Sequence, residues 1–134
     1  MERTISKGRL LVVDDDRAVS GFLTDLLSEQ GYECQNCPDG ETALDTMRQQ
    51  SFDVVILDLM MPGITGLEIL ALSRKQYPET AFLVLTGMDD VDVAAGAMKQ
   101  GADDYLTKPC EPEAVVASVE LAMKKKRAGR SQVR

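Results

Sequence analysis

Histidine is absent from the 134 residues, and cysteine occurs only at Cys34, Cys37 and Cys110. Cys34 and Cys37 spell C-x-x-C, but no second such pair exists, so a four-ligand zinc site cannot be assembled. A thioredoxin-like pair should open a helix, whereas YECQNC reads as a strand entering a turn at PDG. The two cysteines are therefore read as small buried apolar side chains. Glycine and proline together supply only 15 residues against 44% hydrophobic content, which excludes disorder for most of the chain. No apolar stretch approaches the length of a membrane span, and MERTISKGR lacks the apolar segment of a secretory signal. The expectation is a cytoplasmic protein that does not engage a membrane.

Charge is unevenly distributed. The net charge is −7, yet residues 124–134, KKKRAGRSQVR, hold six of the fifteen basic residues and no acid. The remainder carries nine basic and twenty-two acidic residues, a net charge of −13. A body this acidic repels nucleic acid, so the fold itself is not expected to read DNA. The basic end is read either as a solvated helix terminus whose cations suit the helix dipole, or as the start of a linker.

Hydrophobic periodicity alternates between strand and helix along the whole chain. RLLVVDDD reads as a strand, and RAVSGFLTDLLSEQG as a helix with Val19, Phe22, Leu23, Leu26 and Leu27 on one face. YECQNC is a strand, and DGETALDTMRQQ a helix presenting Ala43, Leu44 and Met47. FDVVILD, AFLVLTG and DDYLTKP complete the strands. GLEILALSRKQY, DDVDVAAGAMKQG and EPEAVVASVELAMKKKR complete the helices, the last of these ending at Arg127. Five strand–helix units with short connections predict an α/β doubly wound, five-stranded parallel sheet of order 2-1-3-4-5, a flavodoxin-like three-layer sandwich. Residues 1–127 are read as one domain with a core of about 8–125, and 128–134 as a flexible basic tail or linker start.

In such a sheet ligands bind beyond the carboxyl ends of the strands. Strand 1 ends at Asp14 and Asp15, strand 3 at Asp58, strand 4 at Thr86 and strand 5 at Lys108, while Asp16 reads as a helix cap. Several acids gathered in one crevice need a cation. All-oxygen ligands without histidine or cysteine point to Mg²⁺, with Mn²⁺ as a substitute. A carboxylate beside that ion, with an ammonium and a hydroxyl near, is equipped to accept a phosphoryl group.

The set VVDDD, VVILDLMMPG, LTG and YLTKP, in this order and spacing, resembles the receiver domain of two-component response regulators over residues 8–125. The resemblance implies that Asp58 is the phosphoacceptor. It makes Asp15 the direct metal ligand, Asp14 the acid acting mainly through a metal-bound water, and Met60 a ligand through its backbone carbonyl. Thr86 becomes the switch hydroxyl, Lys108 the phosphate-binding lysine, and Tyr105 the aromatic that changes rotamer. Lys108-Pro109 would be a cis peptide. The implied phosphodonor is a sensor histidine kinase or histidine phosphotransfer protein. The face of the fourth helix, fifth strand and fifth helix would bind partners or form a homodimer. Such a protein is not an enzyme, since it catalyses only its own phosphorylation and dephosphorylation. Two positions depart from the common pattern without touching the chemistry: Thr65 stands before Gly66 in place of an aspartate, and Cys110 follows Lys108-Pro109 in place of an aromatic.

Met60 and Met88 would border the path of the hydrolytic water, where thioethers cannot hold it, so the phosphorylated state should persist. Two rivals share the topology. An FMN protein needs a Ser/Thr/Gly-rich loop where this chain has DDDRAV, and a Mg²⁺-dependent phosphatase needs an acid where it has Met60.

Overall fold

The computed structural model describes residues 5–61, 63–87 and 89–132, with side chains as far as Lys126. Five strands, β1 (Arg9–Val13), β2 (Glu33–Cys37), β3 (Val54–Asp58), β4 (Ala81–Gly87) and β5 (Asp104–Lys108), alternate with five helices. The helices are α1 (Arg17–Glu29), α2 (Gly40–Gln49), α3 (Gly66–Gln76), α4 (Val91–Lys99) and α5 (Pro112–Gln132). All neighbouring strands are parallel, in the order β2-β1-β3-β4-β5, as the alternation predicts. Lys108-Pro109 is cis.

The sheet is a central layer because β1 and β3 are apolar on both faces. Leu10 and Val12 of β1 and Val54 and Ile56 of β3 face Leu23 and Leu27 of α1 and Val115 and Val119 of α5. Their alternates Leu11, Val13, Val55 and Leu57 face Ala43 and Met47 of α2, Ile69 and Leu70 of α3, and Ala97 of α4. Every residue of β3 is buried, Asp58 included.

Helix boundaries follow local chemistry. Asp16 caps α1 by accepting from the backbone N–H groups of Ala18 at 2.9 Å and Val19 at 3.4 Å, the role assigned to it from sequence. Phe22 departs from expectation: it is 41% exposed. The stripe meeting the sheet is Ser20, Leu23 and Leu27, and Phe22 stands about 100° around the helix from Leu23. Cys37 is buried as read from sequence, whereas Cys34 is only half-buried, because β2 is an edge strand. The fifth helix continues to Gln132, five residues beyond its expected end at Arg127.

The start of α3 is the tightest approach to the end of β3. Gly66 donates its N–H to Leu59 O at 3.2 Å, and a Cβ at this position would run into the carbonyl of Asp58 and the Cα of Leu59. Both are backbone atoms, so the clash cannot be relieved by a rotamer. Gly66→Ala is expected to lower the unfolding free energy by about 2–3 kcal/mol in chemical denaturation. Gly21→Ala, inside α1 with nothing within 4 Å of the added methyl, is the matched control. It should be neutral or slightly stabilising.

Candidate functional site

Strand register assembles the site. Val13 pairs with Leu57, so Asp14, next along the chain, emerges beside Asp58. Asp58 pairs with Leu85, which puts Thr86 one step beyond the acid on the neighbouring strand. Lys108 pairs with Gly87 at the end of β5, two strands from Asp58, a span of about 10 Å that only a long side chain can bridge.

The two buried acids are held alike. Asp14 Oδ1 accepts the N–H of Asp16 at 2.9 Å, and Asp58 Oδ1 accepts the N–H of Met60 at 3.0 Å. Each is a turn closed onto the residue two positions ahead, and each leaves Oδ2 free of the backbone. Lys108 Nζ serves both free oxygens, 3.0 Å from Asp14 Oδ2 and 3.3 Å from Asp58 Oδ2. It donates a hydrogen bond to Asp58 but lies outside hydrogen-bonding alignment with Asp14. Asp14 Oδ2 is thus a fully buried oxygen with a charge partner and no directed donor.

Burial is the main force on Asp58 and pushes its carboxyl up to about 6. The N–H of Met60 pulls the other way, the charge of Asp14 adds to the rise, and Lys108 opposes it. Burial alone would lower the ammonium of Lys108, but its contacts with Asp14 and Asp58 outweigh that and raise it. The lysine is firmly cationic and still does not neutralise the pair.

Asp15 is exposed and completes the group: one carboxylate oxygen from each of Asp14, Asp15 and Asp58 lies within 4.8 Å of the others. An all-oxygen set with a buried oxygen lacking a donor fits a small hard dication. Thr86 is buried at 2% exposure, and Met60 is 61% exposed at the mouth. Met88 lies outside the described residues. The ring of Tyr105 stands outward at 47% exposure, beside a cavity of about 250 Å³ lined by Thr86, Ala94, Met98 and Tyr105 itself. A cleft of about 580 Å³ among Arg9, Asp53, Tyr77 and Lys126 opens at the opposite end of the sheet and holds none of these groups.

The paired turns and the Lys108–Asp14 contact were not read from sequence. The turns depend on backbone N–H directions, and the ion pair depends on a reach across two strands. The only available signal was the Asp-x-x spacing shared by the two acids.

Residues 10–120 match the response regulator receiver domain family. The response regulator MprA of Mycolicibacterium vanbaalenii is 40% identical over 117 residues, covering 87% of this chain and 51% of that protein. The transcriptional regulatory protein FixJ of Bradyrhizobium diazoefficiens is 37% identical over 119 residues, 89% of this chain and 58% of FixJ. Among solved structures, NtrX from Brucella abortus superimposes with a TM-score of 0.90 at 26% identity, over 95% of this chain and 29% of that one. A response regulator receiver domain protein from Clostridium thermocellum does so with a TM-score of 0.85 at 32% identity, over 92% and 98% of the two chains. The chain spans about half the length of MprA and FixJ. No helix among the described residues is long and apolar enough to cross a membrane.

The raised carboxyl of Asp58 has a measurable consequence for stability. Its pKa rises from 3.8 to about 6, so the folded state holds a proton that the unfolded state has already released between about pH 4 and 6. This contribution is fully present below pH 4 and is lost as pH rises through 6. Two units correspond to an upper bound of about 3 kcal/mol. In a chelator, wild-type thermal stability should decline across that window. Asp58→Asn should show a flatter profile and a higher midpoint at pH 7.5; a profile that falls as steeply in the variant would contradict the burial of a titrating Asp58.

Proposed function

The chain belongs to the response regulator receiver domain family, whose members act as phosphoacceptor switches in two-component systems, and from that premise we propose that Asp58 is the acceptor. The arrangement that carries this assignment is the Lys108 ammonium beside the carboxylates of Asp58 and Asp14, with Asp15 completing the acidic group. The phosphodonor is the phosphohistidine of a sensor histidine kinase or of a histidine phosphotransfer protein. An Asp58 oxygen attacks phosphorus, a P–O bond forms, and the bond to the histidine nitrogen breaks. A carboxylate with its pKa near 6 is more basic than an ordinary aspartate and still largely ionised at neutral pH, which suits a nucleophile.

Asp14, Asp15, Asp58 and the carbonyl of Met60 are the groups that would hold Mg²⁺, or Mn²⁺ in its place. The ion supplies neutralisation of the charge that gathers on the phosphoryl oxygens. Lys108 supplies the protein's own share of that neutralisation and keeps the oxygens oriented. Thr86 donates its hydroxyl to a phosphoryl oxygen, and the ring of Tyr105 moves into the neighbouring cavity. The surface of α4, β5 and α5 changes with it, as a shift between two populations whose size is bounded by the contacts that differ. That surface addresses a partner, an output domain or a second copy. Residues 1–127 make up this switch, and 128–134 are a basic tail or the start of a linker, the first five of them continuing α5. The only reactions it accelerates are gain and loss of its own phosphoryl group. Nucleic acid is met only through an output domain absent from this chain. The FMN-protein and phosphatase readings gain nothing from the family match.

With Mg²⁺ and a small acyl phosphate as donor, intact mass should show one phosphoryl group on the wild type. Asp58→Asn should acquire none, and equal labelling of the two would remove the assignment.

Metal titration separates the neighbouring acids. Asp16 is committed to capping α1, whereas Asp15 lies within the acidic group. Asp15→Ala should weaken Mg²⁺ binding at least about tenfold, the usual loss when a carboxylate ligand or its support is removed. Asp16→Ala should cost about 1 kcal/mol of helix stability and leave binding within about twofold. Comparable losses of affinity would mean that the roles within the acidic triplet are misassigned.

A further inference from the structure

Thioether exposure is sharply divided in this chain. Met47, Met61 and Met123 are buried at 7% exposure or less, and Met98 is 41% exposed. Met60 is the most exposed described methionine at 61%. It is also the one tied to the acidic site: its N–H is bonded to Asp58 Oδ1, which fixes its Cα at the mouth of the crevice. Its neighbour Met61 turns into the core beside Leu59. Among the described residues, Met60 is thus the oxidisable sulfur that stands in solvent beside the Asp58 carboxylate.

The competing sulfur groups are less reactive. Burial raises the thiols of Cys34, Cys37 and Cys110, which keeps them protonated, and a thiol reacts with peroxide far more slowly than a thiolate. Methionine needs no deprotonation. Its product also differs from it in the property that matters at this mouth: a thioether accepts hydrogen bonds poorly, whereas a sulfoxide is a strongly polar acceptor.

We propose that Met60 is a redox-modification site that sets the lifetime of the phosphorylated state, an inference that rests on Asp58 being the phosphoacceptor. A sulfur lone pair of Met60 attacks one oxygen of a peroxide and the O–O bond breaks. Sulfur is oxidised by two electrons to the sulfoxide, and the second peroxide oxygen leaves as water or an alcohol. The new S=O group accepts a hydrogen bond from water at the mouth of the site and holds it beside the acyl phosphate of Asp58. Hydrolysis then accelerates, and reduction of the sulfoxide restores the slow state. A sulfoxide orients water without taking its proton, so its effect falls below that of a general base, at roughly three- to tenfold.

The test uses the full chain treated with hydrogen peroxide to about one added oxygen per molecule. Peptide mass mapping locates that oxygen. The protein is then phosphorylated with a small acyl phosphate and Mg²⁺, the donor is removed, and loss of the phosphoryl mass is followed. The oxygen should appear on Met60 ahead of Met98, and decay should quicken roughly three- to tenfold. A methionine sulfoxide reductase should reverse the change. In Met60→Leu, decay should no longer respond to peroxide, while Met98→Leu should respond as wild type does. Met60→Gln, a fixed amide acceptor, should decay faster than Met60→Leu without peroxide. Preferential oxidation of Met98 or a cysteine overturns the proposal, as does unchanged or slower decay of protein oxidised at Met60. If Asp58 takes up no phosphoryl group at all, the acceptor assignment falls and this inference with it.

Discussion

Lys108 crosses from β5 to stand 3.0 Å from Asp14 and 3.3 Å from Asp58, and the chemistry at the carboxyl end of the sheet depends on that shared ammonium. Two buried carboxylates on adjacent strands repel each other in a medium that screens them poorly. One cation between them removes most of the repulsion but leaves an excess negative charge, to which the exposed Asp15 adds another. Burial raises the carboxyl of Asp58 to about 6, and the charge of Asp14 adds to that rise in spite of Lys108. A site left short of positive charge favours any group that supplies it. The same deficit would favour a dication, which would supply the missing positive charge beside Asp14, Asp15 and Asp58.

The rest of the fold makes that deficit tolerable. The strand that delivers Asp58 is buried along its whole length and covered by helices on both faces. At its end the chain closes a turn with the Met60 N–H on Asp58, then seats Gly66 against the backbone of Asp58 and Leu59. The strand carrying Asp14 closes an equivalent turn through Asp16, whose own side chain then starts α1. Each acid therefore has one oxygen fixed by backbone and one presented to the crevice. The lysine closes the site from the far side of β4. These positions require only that the four parallel strands β1, β3, β4 and β5 keep register, which apolar packing on two faces enforces.

Much of this was legible in sequence, for physical reasons. Runs such as LLVV and VVIL admit few readings besides buried strands, and a charged residue ending each one stands out against them. Asp16 could be identified as a cap from its place before a helical pattern. What stayed hidden depends on geometry that composition does not encode. Phe22 belongs to the hydrophobic spacing of α1 yet lies off the stripe that meets the sheet. The end of α5 could not be read because KKKRAGRSQ contains no strong stop. Arg74 is the clearest case. Its guanidinium donates to the carbonyls of Tyr77, Pro78, Thr80 and Gly101 and to Asp103, and lies 5.0 Å from the centre of the Phe82 ring. It thereby pins the loop before β4 to the loop before β5. Four of its partners are backbone oxygens, and carbonyl directions leave no trace in residue types.

The contrast between the starts of α3 and α4 indicates which way a change at Asp58 can travel. Thr65 and Glu68 form a reciprocal capping box, Thr65 Oγ1 accepting from the N–H of Glu68 at 3.2 Å and Glu68 Oε1 accepting from the N–H of Thr65 at 3.0 Å. The threonine that departs from the commonest receiver residue thus supplies a complete cap. With Gly66 wedged against β3, α3 is fixed at the end nearest Asp58. Helix α4 begins just past Thr86-Gly87 with Asp90 at its N-cap, and that side chain makes no capping hydrogen bond. Its sequence, VDVAAGAMK, buries only Ala94 and Ala97, so little apolar surface holds it to the sheet. Moving α3 would break a cap and lift a helix off backbone contacts. Moving the start of α4 breaks no side-chain cap and opens onto a cavity already present beside Tyr105. Among two-state responses, the one with the smaller opposing free energy is populated first. Under the proposed switch, a pull on Thr86 would therefore be transmitted toward α4 and β5, with α3 as the fixed wall.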